Sequence, residues 1–82
     1  MTPEQALERI KVAAHRTDRQ YHGTFAVILH EDGLKVMPMT DRRADVMERD
    51  KEFADSVVGC YTRAIRLNEL VEDVEYVSNN SV

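Results

Sequence analysis

Phe53-Ala-Asp-Ser-Val-Val-Gly-Cys-Tyr-Thr-Arg-Ala-Ile-Arg-Leu-Asn-Glu-Leu-Val-Glu-Asp-Val74 is the stretch on which the reading of the chain turns. Phe53, Val57, Cys60, Ala64, Leu67, Val71 and Val74 recur at intervals of 4, 3, 4, 3, 4 and 3. On an α-helix that spacing makes one straight apolar seam. A second stripe of Met47, Ala54, Val58, Tyr61 and Ile65 runs beside it. Together the stripes cover about half the circumference, more than a surface helix needs. The pattern predicts a long amphipathic helix from a cap at Thr40 or Asp41 to Glu75, since both side chains can accept from free backbone N–H groups.

Such a helix is about 50 Å long at ~1.5 Å per residue. A compact chain of this size is only about 30 Å across. The helix must therefore break or be covered by a partner where it overhangs. Gly59 is the one candidate break, at about 1 kcal/mol against alanine. Ser56, Cys60 and Ala64 beside it form a small-residue ridge that lets another helix come close.

Upstream, Thr24-Phe-Ala-Val-Ile-Leu-His30 and Leu34-Lys-Val-Met-Pro-Met39 have β character and no helical spacing. Asp32-Gly33 between them reads as a hairpin turn. Leu29 then faces Val36, and Phe25, Val27, Leu29, Leu34 and Val36 share one side of the ribbon. Ala26, Ile28, Met37 and Met39 make the other side apolar as well. Pro38 has no N–H, so its strand belongs at an edge. A lone two-stranded ribbon is marginal, so an apolar second side calls for cover, which a second copy of the chain would supply.

Thr2-Pro-Glu-Gln5 opens a first helix: Thr2 caps, Pro3 takes the first helical position and Gln5 completes a capping box. Leu7, Ile10 and Ala14, widened by Ala6 and Ala13, mark its inner face, and Arg9, Lys11, Arg16 and Arg19 make its outer side basic. It should end near Gln20, where His22-Gly23 punctuates the chain. Ser78 to Val82 reads as a polar, frayed tail. The expectation is therefore a single α+β domain over residues 1–77, in the order helix, β-hairpin, long helix (αββα), with a tail at 78–82, and a homodimer.

The 82 residues are 43% hydrophobic and 32% charged, with a formal net charge of −4. That composition is globular rather than disordered. Residues 1–43 carry seven Lys/Arg and six Asp/Glu, and residues 44–82 carry four and nine, so the acidity lies in the second half. This argues against a nucleic-acid partner, which needs clustered cations. No apolar run suggests a membrane span. A single cysteine rules out an internal disulfide and suits a reducing, cytoplasmic location.

Little in the chain points to catalysis. His15, His22 and His30 are spaced by seven and eight residues and do not match a zinc site. Cys60 has no histidine near it in sequence and reads as a small buried residue. Glu69, Glu72, Asp73 and Glu75 read as a solvated acidic face, and Arg66 as the ion partner of Glu69. No phosphate loop or nucleophile elbow is present. Arg42 and Arg43 are the candidate anion contacts.

The function expected is that of a non-enzymatic, acidic interaction protein: a regulator, adaptor or inhibitor of the mobile-element or phage type. It needs no cofactor and binds itself and another protein. Its interface is expected on Phe53, Val57, Cys60, Tyr61, Ala64, Leu67 and Val71, with Ile28, Met37 and Met39 of the hairpin. The alternative is a small-ligand or nucleotide binder with a pocket between subunits, lined by Ile28, Met37 and Met39 with Arg42 or Arg43 at its mouth.

Overall fold

In the computed structural model, which describes residues 1–21 and 23–80, the first helix starts as its sequence requires. The Thr2 hydroxyl accepts from the Gln5 N–H at 3.2 Å, and the Thr2 N–H donates to Gln5 Oε1 at 2.9 Å. This reciprocal box satisfies backbone donors that the first turn leaves open. Helix α1 spans Pro3–Tyr21 and buries Ala6 and Ile10 completely. His22, expected to help end it, lies outside the described residues, as do Ser81 and Val82; so do the side chains of His15, Arg16 and Arg19.

Strands β1 (Phe25–His30) and β2 (Gly33–Pro38) form the hairpin. Its turn is Glu31-Asp32, one residue earlier than expected. His30 pairs with Gly33, and Gly33 takes a φ of 116°, a backbone region that L side chains avoid. Leu29 consequently faces Leu34, and Val27 faces Val36. Each partner moves by two residues, so the side-chain alternation is unchanged and the same residues share each side.

The long helix does not form. Residues 41–80 become helix α2 (Asp41–Arg49), helix α3 (Lys51–Ser56), strand β3 (Val57–Tyr61) and helix α4 (Leu67–Asn80). Thr40 caps α2, its hydroxyl accepting from the Arg43 N–H at 3.1 Å. Asp50 then ends α2 with an extended backbone and caps α3, its carboxylate accepting from the Phe53 N–H at 3.2 Å. Val57, Val58, Gly59 and Tyr61 are poor helix formers, and three of them favour strands.

Tertiary demand settles the competition. β1 has a second edge whose backbone groups need partners, and β3 supplies them, giving an antiparallel sheet in the order β2-β1-β3. Pro38 therefore does lie in an edge strand. Only Leu67, Val71 and Val74 keep the helical seam, on α4, which continues three residues past residue 77.

The sheet carries helices on both sides. On one side, Phe25, Val27 and Leu34 pack with Ala6 and Ile10 of α1, with Ile65, and with Leu70 of α4. On the other side, Ala26 and Ile28 are also fully buried, and α3 lies against β1 and β3. Over Ala26 and Ile28 the cover expected from a second subunit is supplied within the chain, with α3 on that side, while Met37 and Met39 stay half-buried. The molecule measures 36 × 29 × 19 Å, too short for a 50 Å helix.

Ile28→Ala tests this layering. A side chain buried within its own chain leaves a cavity, so the unfolding free energy should fall by about 2–4 kcal/mol. The check is urea unfolding at high dilution; a loss near 0.5 kcal/mol, typical of a surface change, would mean that this side is open in the lone chain.

Candidate functional site

Strand β3 is held to β1 through the pairs Phe25–Tyr61, Ala26–Cys60, Val27–Gly59 and Ile28–Val57, which leaves Val58 as the extra residue of a β-bulge. Gly59 and Tyr61 point to the α1/α4 side. The Tyr61 ring folds back over Gly59 so closely that a Cβ there would lie 2.6 Å from Tyr61 Cζ. The phenol then donates to Asp73 Oδ2 of α4 at 2.6 Å. Glycine at 59 is thus a packing requirement: any side chain would push the ring off its path to α4. Burial, and then the neighbouring Asp73 carboxylate, hold the Tyr61 phenol well above its ordinary pKa.

Cys60 points to the other side and is exposed, whereas the expected seam would have buried it. Partial desolvation pushes its thiol up from the usual value. A nucleophilic or metal-binding cysteine needs the opposite shift.

The hairpin register also fixes which backbone groups face outward. A two-residue loop is closed by a hydrogen-bonded pair, here His30–Gly33, and the Met39 N–H bonds Thr24 O at 3.0 Å in the same series. Even-numbered residues of β1 therefore turn their backbone to β2, and Phe25 and Val27 turn theirs to β3. It follows that Tyr61 and Gly59 bond inward, while Cys60 and, past the bulge, Val57 turn outward.

The two borders of the sheet are treated differently. On β2 two of the three outward carbonyls are engaged: the Arg43 guanidinium donates to Pro38 O at 2.6 Å, and the Met1 amino group lies 3.5 Å from Leu34 O. Among the described residues, no hydrogen bond from another segment reaches the outward groups of Val36. Pro38 offers no N–H, and Lys35 adds an exposed charge, both usual guards of a sheet edge. On β3 the outward Val57 N–H is taken by Ala54 O, as the C-cap of α3. Among the described residues, no hydrogen bond from another segment reaches the outward N–H and C=O of Cys60. β3 itself contains neither charge nor proline.

The residues expected at an interface are scattered. Val57, Cys60 and Tyr61 share β3, with half-buried Phe53 just before them on α3. Ala64 is exposed in the turn after β3, where the Ile65 N–H bonds Thr62 O. Leu67 is exposed at the start of α4 and Val71 is half-buried along it; Met37 and Met39 are half-buried at the β2 border. Ile28 has no exposed surface and presents nothing to a second molecule or to a ligand pocket.

Arg42 and Arg43 also part company. Arg43 is engaged with Pro38. Exposed Arg42 lines a shallow groove at the α2–α3 elbow with Asp45, Val46, Arg49, Asp50, Lys51 and Glu52. Its three cations and three carboxylates balance, which gives an anion little net attraction. The carboxylate of Glu69 accepts from the backbone N–H of Arg66 at 3.4 Å, rather than pairing with its side chain, and helps start α4. No described helix is long and apolar enough to cross a membrane. Comparison with protein-family models, with curated proteins and with solved structures returns no match.

Two measurements test the β3–α4 clamp. Gly59→Ala should cost about 1–3 kcal/mol by displacing the ring, and less than half as much in a Tyr61→Ala background. Tyr61→Phe should cost about 1 kcal/mol, the loss of a partly exposed hydrogen bond to a carboxylate. Because the folded phenol titrates above its unfolded value, its contribution is complete below about pH 10 and is lost as pH rises further. A spectrophotometric titration of the three tyrosines should therefore show one lagging phenol, absent in Tyr61→Phe; uniform titration in the wild type would exclude the clamp.

Proposed function

We propose that this is a non-enzymatic interaction protein: a small acidic regulator, adaptor or inhibitor that acts by binding another macromolecule and works as a homodimer. The observation that carries this reading is the contrast between the two borders of the sheet. One carries Arg43 on the Pro38 carbonyl, a proline and the exposed charge of Lys35, and the other has neither charge nor proline and turns Cys60 outward. An uncharged border strand with outward backbone groups is a template for a further strand, which is how many adaptors and inhibitors capture extended segments. Reduced Cys60 suits a cytoplasmic setting. The acidic second half of the chain would then add steering toward a basic partner surface.

Cys60→Pro tests it. The substitution removes an outward N–H that β1 does not use, so the fold should persist by circular dichroism. Immobilised wild-type protein should retain a partner from its native host extract that the variant loses. Retention should weaken as salt rises if the acidic surface takes part. Equal retention by the two proteins would remove the border strand from the reading.

A further inference from the structure

We infer that the chain forms its homodimer by exchanging α3, β3 and α4 between two copies, with Asp50 as the pivot. The inference rests on the homodimer part of the reading above, and it names the segment that passes from one copy to the other.

The elbow between α2 and α3 is one residue long. The Asp50 N–H donates to Val46 O, and the Asp50 carbonyl accepts from the Ala54 N–H. Among the described residues, no backbone bond joins α3 directly to α2. Three donors, on Lys51, Glu52 and Phe53, and three carbonyls, on Met47, Glu48 and Arg49, are thus without helical partners. The Asp50 carboxylate serves one of the donors, that of Phe53. These are the three pairs that a continuous helix from Asp41 to Ser56 closes. No glycine or proline lies between residues 41 and 56 to oppose it.

A straight elbow does not fit within one chain. The start of α2 is fixed by the Thr40 cap and by Arg43 on the Pro38 carbonyl, and β3 begins at the residue after α3. The nine residues of α2, Asp50 and the six of α3 make a helix about 24 Å long at ~1.5 Å per residue. The end of β2 and the start of β3 lie two strand spacings apart across the sheet, about 10 Å, and three residues apart along it, again about 10 Å. The helix is longer than that gap, so straightening lifts α3, β3 and α4 off their own β1.

The occupant that fits the vacated place is the same segment of a second copy. It brings β3 to the free edge of β1, and Ile65 and Leu70 to Ala6, Ile10 and Phe25, the contacts that the lone chain already makes. Each set forms twice about a two-fold axis, and short hinges favour such exchange. α2 buries no residue, so its change of angle uncovers no core. The exchanged dimer carries two β3 borders in one particle, both available for capture.

Refolding the full chain at different concentrations is the test. Dilute refolding should give 9.4 kDa in sedimentation, and concentrated refolding twice that mass. The dimer should persist after dilution, because return requires the core to open. Ala26 faces Cys60 across β1 and β3 as a pair without mutual backbone bonds, the closer kind. Oxidised Ala26→Cys should therefore link residues 26 and 60 within the monomer and between chains in the dimer. With equal heavy- and light-isotope chains, the linked peptides of the dimer should include mixed pairs. Asp50→Ala removes the cap and favours the continuous helix, so association should strengthen about tenfold for each chain. Asp50→Gly removes the same carboxylate without favouring the helix and should stay near wild type. A dimer without mixed pairs, or one that dissociates at once on dilution, would overturn the exchange and leave a different homodimer standing. Equal behaviour of the two Asp50 variants would overturn the pivot. A monomer under every condition, in wild type and in Asp50→Ala, would overturn the homodimer as well, whereas capture lost in Cys60→Pro would still support the β3 border.

Discussion

Strand β1 has to be enclosed on four sides at once. Phe25 and Val27 need apolar neighbours on one side, Ala26 and Ile28 need them on the other, and each edge carries backbone groups that must be paired once water is excluded. The hairpin satisfies one edge. Helices α1 and α4 satisfy one side. What remains is a second edge and a second side, and the segment from Lys51 to Tyr61 supplies both, as α3 over the sheet and β3 within it. Its conformation follows from the needs of β1 as much as from its own preferences.

That division of labour has a local solution at the junction of the layers. β3 must lie flat beside β1, yet α4 must be tied to it from one side. A phenol long enough to reach Asp73 does this only if the residue two positions before it offers no side chain. Gly59 is weak as a helix former and weak as a strand former, but it suits a ring that has to pass over the backbone. Among the described residues the same strand leaves the outward groups of Cys60 on its far border unengaged, so the element that completes the core is also the one that faces outward.

Much of the architecture was legible in the residues. The capping box at Thr2 and Gln5, the cap at Thr40, the two apolar sides of the hairpin and the edge position of Pro38 all follow from local chemistry, and local chemistry decided them. The break in the long helix did not show, because Phe53 to Val74 satisfies two periodicities at once. A seam at intervals of 4 and 3 also places Val57 and Cys60 on one side of a bulged strand. The signals for the break were present but weak: Asp50 as a second cap within a charged run, the pair Val57-Val58, and Gly59 two residues before Tyr61. Which reading wins depends on the unpaired edge of β1, a contact remote in sequence. The interface residues were scattered for the same reason: a line drawn along one helix does not survive the chain becoming helix, strand, turn and helix.

Helix α2 has a place of its own in the energetics. It buries no residue, and its ties to the rest are the Thr40 cap, the Arg43 contact with Pro38 and the shared aspartate at its end. Stability in a small protein is distributed according to how much each segment hides from water. Amide protons of α2 should therefore exchange with solvent through local opening, well before those of β1, which need the whole molecule to unfold. The cold end of that gradient is the guard over the β2 border. A transient departure of α2 would uncover the Pro38 carbonyl, so the guard at that end of the β2 border is a latch rather than a wall.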